Sequence, residues 1–232
     1  MAQDKTFGED VAFVRNRFDT IVLENGTGGK IAVSAALQGR TLTSTATGDG
    51  GTSFGYLNYA ALESDAIDPQ INLYGGEDRV WISPEGGQFS VFFDPDVAMD
   101  FANWRTPPSL DTEPFELVKQ NETSATFSRQ ISLTNMSRFT FEFRLDRTVT
   151  VLGNDEVAKR LGVSFDGLDV VAHESDNRIV NTGSQPWLPA TGLIGVWSIC
   201  MSKPADDAVL VVPFVSGPES QLGQIVETDY FG

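Results

Sequence analysis

Residues 138–151 read RFTFEFRLDRTVTV. Phe139, Phe141, Phe143 and Leu145 alternate with Arg138, Thr140, Glu142, Arg144 and Asp146, the period of two that a β-strand shows when one face meets a core and the other meets water. Outward from this stretch, short runs rich in β-branched residues recur at 20–23, 30–36 and 40–46. Turn sequences such as Asn25-Gly26 and Gly28-Gly29 separate them, which predicts a meander. Further strands are expected at 89–93, 115–119, 125–133, 168–172, 178–181, 193–201, 208–214 and 224–228, for a total of about ten or more. Thr6 followed by Glu9 has capping-box spacing, and Phe7, Val11, Val14 and Phe18 recur at helical intervals, so a helix over about 7–18 opens the domain. Two more helical pieces fall near 59–65 and 156–161.

Helices do not alternate regularly with strands, as a parallel α/β fold would require. No fixed-period repeat, low-complexity tract or linker divides the chain. The predicted fold is therefore all-β and mainly antiparallel: one large β-sandwich domain over 1–232 with a few short helices. The polar stretch 94–113, with Pro95, Pro107 and Pro108, reads as a long loop crossing it.

Composition excludes several functions. With 41% hydrophobic residues in 232, the chain can bury a real core. Its 32 acidic against 16 basic residues give a net charge of −16, which repels phosphate backbones and argues against a nucleic-acid partner. No stretch reaches the roughly 18 apolar residues of a membrane span. The lone Cys200, in the apolar run 193–201, reads as a core thiol and rules out an internal disulfide. The opening Met1-Ala2-Gln3-Asp4 has neither a basic nor an apolar signal region, so a signal peptide is absent or removed and the compartment stays open.

The segment with the most chemistry is 75–89, GGEDRVWISPEGGQF. Its two glycine pairs permit tight turns and close backbone approach around Glu77, Asp78, Arg79, Trp81 and Glu85. Arg79 offers a planar fork of donors, and Trp81 lies two residues on, hence on the same face of a strand. Together they suit a sugar ring, whose C–H face packs on an aromatic while charged groups hold its hydroxyls. The alternative is equally concrete: Arg79 paired with Glu77 or Asp146, and Trp81 in the core. Glu85 sits after Pro84 at a turn that aims it out of the pleat, where it could exchange a proton, with Glu174 as the expected partner carboxylate. For Glu174 the alternative is a surface salt bridge. His173, the one histidine, abuts Glu174 and invites a proton-shuttle or ligand-binding role, although neighbours in a strand face opposite ways. Glu174, Asp176 and Asn177 offer oxygen ligands suited to calcium but lack EF-hand spacing, so neither a metal nor a cofactor is expected. Walker, dinucleotide and nucleophile-elbow signatures are absent from the sequence.

The order of elements, the segment 75–89, the later run Glu174-Ser175-Asp176-Asn177-Arg178 and the turn Asn181-Thr182-Gly183 together resemble the galactose-mutarotase-like β-supersandwich superfamily, in a bacterial branch with no assigned activity. The resemblance covers most of the chain. It implies a carbohydrate ligand, with Arg79, Trp81, Glu77, Arg178 and His173 as binding residues and Glu85 and Glu174 as candidate catalytic carboxylates, in an aldose-epimerase-like or purely binding role. It also leans towards a periplasmic or extracellular protein. Two departures weigh against catalysis. Trp187 to Trp197 contains no histidine where mutarotases carry their general acid, and the glutamate base of that family comes late in the domain, at a position expected to fall past Gly232. A sandwich truncated at that point would expose a strand edge and favour homo-oligomers. The alternative reading is a non-catalytic structural or protein-interaction module.

Overall fold

The computed structural model describes residues 5–226. Helix α1 (Phe7–Arg15) opens on the expected capping box: Glu9 N–H donates to Thr6 Oγ1 at 3.3 Å and Thr6 N–H to Glu9 Oε2 at 2.8 Å. It ends at Asn16, short of the expected boundary at 18. Strands β1 (Thr20–Glu24), β2 (Lys30–Ser34) and β3 (Arg40–Thr45) form the antiparallel meander. Helix α2 (Tyr59–Glu63) and strand β4 (Arg79–Ser83) follow. The stretch 94–113 is largely irregular but holds a single 3₁₀ turn and the short helix α3 (Pro108–Asp111). Strands β5 (Glu116–Gln120), β6 (Ser124–Thr134) and β7 (Thr140–Val151), helix α4 (Asn154–Leu161), strands β8 (His173–Asn181) and β9 (Gly195–Ile199), and helix α5 (Glu219–Leu222) complete the order.

The architecture is all-β, with antiparallel sheets and few short helices. Three sheets run β1-β2-β3, β4-β9 and β5-β6-β7-β8. Leu23, Ile31 and Val33 of the first, Val80 to Ile82 of the second and Phe127, Phe141, Phe143 and Leu145 of the third share one buried core. Ala32, between Ile31 and Val33, joins a second core beneath α1 and α2, so β2 is covered on both faces. No helix among the described residues is long and apolar enough to cross a membrane.

Strand β7 realises the alternation of the 138–151 stretch: Phe141, Phe143, Leu145, Val149 and Val151 are buried, while Thr140, Glu142 and Arg144 face solvent. It begins at Thr140 because Arg138 is in the left-handed region (φ 66°) and closes a turn onto Asn135. The wet face of the β6–β7 pair is a ladder of cross-strand hydrogen bonds, Ser124–Thr150, Thr126–Thr148, Ser128–Asp146, Ser132–Glu142 and Thr134–Thr140. Such pairs each contribute about 0.2–1 kcal/mol and pin the register.

Several expected strands are corrected. Phe89 is half-buried and residues 90–93 are buried, but the stretch is irregular: Ser90 Oγ donates to Glu85 O and accepts from Phe92 N–H, replacing a ladder with a local turn. Residues 168–172 and 208–214 also lack strand pairing, the latter leaving Val209, Leu210 and Val211 exposed. Residues 224–226 are irregular, and 227–228 lie outside the described residues. The described strands number nine, and β8 absorbs the expected 178–181 into a longer element.

Within β7, Arg147 occupies a core position at 0% exposure. Its Nη2 meets Asp78 Oδ2 at 2.5 Å, Nε donates to Gly39 O at 2.9 Å and Nη1 to Asn177 Oδ1 at 2.8 Å. Removing one partner from a buried ion pair strands the other charge. Arg147→Met is therefore expected to lower unfolding free energy by about 3–5 kcal/mol in urea titration. A loss under about 1 kcal/mol would show the pair to be incidental.

Candidate functional site

The segment 75–89 enters β4 through its first glycine pair. Gly75 (φ 84°) and Gly76 (φ 114°) both hold left-handed backbone, and a Cβ on them would fall 2.3 Å from Tyr56 O and 2.6 Å from Arg40 Cδ. Neither place admits another residue without moving its neighbours. The turn hands Asp78 to β3 through the backbone bridge Thr41–Asp78 and to β7 through Arg147. With Asp78 fixed on that face, strand alternation turns Arg79 to the other.

Arg79 lies with its guanidinium carbon 4.4 Å from the Trp81 ring centroid, so the two share a face as expected. Arg79 is only 8% exposed, yet it has no hydrogen-bond acceptor among the described residues, and its Nε is fully enclosed. The carboxylates that influence it are Asp111 and Glu85, and burial lowers its pKa. Glu85 accepts from Trp81 Nε1–H at 2.6 Å. Burial raises the Glu85 carboxyl, against the opposing pull of Trp81 and Arg79. Asp111, on α3, takes Asn72 N–H at 2.9 Å and Nδ2–H at 2.8 Å on Oδ2, leaving Oδ1 enclosed without a partner. Burial also pushes its carboxyl upward. Arg40 stands behind this group, donating to Gly75 O at 2.8 Å, with its pKa lowered to about 9 by burial and by the like charge of Arg79.

Trp81 departs from the expected role. At 1% exposure it stacks on Phe92 (5.2 Å), which stacks on Trp104 (4.6 Å). Its ring is engaged within the core and has no free face for a sugar; its contribution is to support Arg79 and orient Glu85.

A second polar group lies around Glu77. Ser44 Oγ donates to Glu77 Oε1 at 2.7 Å, while Oε2 is enclosed without a partner. Burial raises this carboxyl most strongly, and nearby His173 opposes the rise. Cys200 Sγ approaches Asp78 Oδ1 at 3.9 Å. The residue is exposed rather than in the core, and partial burial of its thiol together with Asp78 and Glu77 raises its pKa, disfavouring a thiolate nucleophile.

The structure brings Arg79, Trp81 and Glu85 together, while His173 acts on Glu77 only through its charge. It does not bring Glu174 or Arg178 to either group. Along β8 the residues His173, Ser175 and Asn177 are half-buried, whereas Glu174, Asp176 and Arg178 alternate onto the exposed face. There Glu174 accepts from Arg160 at 2.7 Å and Arg178 pairs with Asp176 at 2.5 Å. The expected Glu85–Glu174 carboxylate pair is corrected accordingly. Among the described residues no cluster of three or more His, Cys, Asp or Glu side chains is placed to hold a metal ion.

Asp111, Arg40 and Arg147 were not anticipated. Arg147 was readable, since the period of two that buries Phe141 to Leu145 also buries residue 147. Asp111 arrives from a distant loop and carries no local signal.

The profile of a family of unknown function, DUF6786, matches residues 5–232. The chain belongs to this family. Neither a curated protein nor a solved structure gives a significant match. The family description carries no activity, so the chemistry rests on the two polar groups flanking β4.

Glu77 supplies a pH test. Its folded pKa lies above the unfolded value, so folding is penalised above the folded pKa, and the penalty disappears as pH falls through that pKa towards the ordinary carboxylate range. Glu77→Gln, which retains an acceptor for Ser44, is expected to raise the thermal midpoint at pH 7, with the gain over wild type shrinking on acidification. A variant less stable at pH 7 and unchanged in that difference at low pH would contradict the assignment.

Proposed function

We infer that this chain is a carbohydrate-binding domain of the galactose-mutarotase-like supersandwich type, holding a sugar at Arg79 between Glu85 and Asp111. The observation that carries the reading is Arg79: a guanidinium at 8% exposure with no protein acceptor, within the electrostatic influence of Asp111 and Glu85. Its Nε is enclosed, whereas Nη1 and Nη2 are not and stand open to the acceptors of a ligand. A simple anion would satisfy Arg79 but would be repelled by Glu85 and Asp111. Vicinal hydroxyls accept from a guanidinium fork and donate to carboxylates, which meets all three groups with a neutral molecule.

Binding is favoured over turnover. Glu174 is engaged with Arg160 on the exposed face of β8, so Glu85 has no second carboxylate from that strand. Glu85, with its raised pKa and its hydrogen bond from Trp81, acts in this reading as a ligand acceptor.

The test is a saturation-transfer and thermal-shift screen against neutral monosaccharides and oligosaccharides. At least one sugar should register, and Arg79→Lys should weaken it about 10- to 100-fold, the worth of a charged hydrogen bond. Glu174→Gln should leave affinity unchanged. Absence of any signal up to tens of millimolar, a K_d weaker than about 10 mM, would sink the reading.

A second reading, a protein-interaction module associating through an open sheet edge, draws on β5, whose residues Glu116–Gln120 are all exposed, Leu117 and Val118 among them. Sedimentation showing concentration-dependent dimers that Val118→Lys dissolves would favour it. A monomer at every concentration counts against it.

A further inference from the structure

A cavity of about 560 Å³ opens between the start of α1, the turn at 50–54 and the segment 202–208, and it shares no residue with the group around Arg79. Its volume is that of a small-molecule site. Phe54, Pro204, Ala205 and Ala208 with Gly50 and Gly51 give it apolar and bare-backbone wall, and Thr6, Thr52, Ser53 and Ser202 line the rest beside the lysines. A Cβ on Gly50 would meet nothing within 4 Å, so that wall is smooth and open.

The charged groups of this cavity are the ammoniums of Lys5 and Lys203. Lys203, its side chain 22% exposed, makes an ion pair of 3.4 Å with Asp10 Oδ2. Asp10 is completely buried, and its oxygens already accept from Ser53 Oγ at 2.5 Å and Tyr59 OH at 2.7 Å. An ammonium has three donors, so one long contact leaves Lys203 with donors for the cavity. Lys5 Nζ sits 4.3 Å from the Phe13 ring centroid and 3.9 Å from that of Tyr59. Two cations thus stand against one carboxylate that already has other donors, in a chain whose net charge is −16. Asp206 and Asp207, on the turn between Ala205 and Ala208, are exposed and form no ion pair with either lysine.

We propose that this cavity binds a small amphipathic anion, an apolar body carrying one carboxylate or phosphate. The body fills the apolar walls, and the anionic group takes the donors of Lys203 with Lys5 adding charge at the edge. Burying the apolar part supplies most of the affinity, and the ammoniums select the charge.

The experiment is a ligand-observed NMR titration of the whole chain with 2-naphthoate and 2-naphthyl phosphate, against the neutral 2-naphthamide. Both anions should bind saturably and the amide about tenfold more weakly, reflecting a charged hydrogen bond. Gly50→Trp, which fills the cavity, should abolish binding. Lys5→Gln, at the edge where folding is least affected, should weaken naphthoate about threefold. Lys203 is left intact, because removing it would strand buried Asp10. Equal affinity for acid and amide, binding retained in Gly50→Trp at an unchanged thermal midpoint, or no saturation by about 10 mM would overturn the proposal.

Discussion

The ion pair between Arg147 and Asp78 is the constraint on which the rest of the structure hangs. It crosses the core from the middle of β7, the longest strand, to the residue immediately before β4. Burying two charges is costly, and this site offsets the cost with hydrogen bonds from Arg147 to Gly39 and Asn177. The arginine therefore ties four segments of chain to one point: the turn before β3, the entry to β4, β7 and β8. Because Asp78 must face β7, Arg79 must face the loop side.

The distribution of charge gives this arrangement its chemical meaning. The chain is strongly acidic overall, yet Arg40, Arg79 and Arg147 are all buried. Arg147 is satisfied by protein groups and reads as structural. Arg40 is partly satisfied by Gly75 O. Arg79 has aromatic support from Trp81 but no direct acceptor, and the proposed sugar site rests on that difference. Burial raises the carboxyls of both Glu85 and Asp111.

Much of the fold was legible in the sequence where local pattern and tertiary environment agree. The 138–151 alternation, the meander and the capping box of α1 are all of this kind. Reading failed where apolar content was mistaken for strand pairing: 90–93 is buried through side-chain-to-backbone hydrogen bonds, and 208–214 is β-rich in composition but unpaired. The segment 75–89 drew attention to Arg79, Trp81 and Glu85, which the fold keeps in contact because residues that close in sequence remain neighbours. The wider set did not hold together. Glu174 and Arg178 are separated from His173 by parity along β8, and Trp81 proved a support for the site rather than a surface. Asp111 was invisible because only tertiary folding brings α3 beside β4.

Arg79 is the group proposed to meet the ligand, and nitrogen-15 NMR of the arginine guanidinium resonances during a sugar titration tests this. Assignment by Arg79→Lys and Arg147→Lys gives each signal an identity. The Arg79 Nη–H resonances are expected to shift and exchange more slowly as sugar saturates, while the Nε–H of Arg147, already bonded to Gly39 O, stays in place. An Arg79 resonance unmoved at saturation, with the shift appearing instead at exposed Arg178, would contradict it.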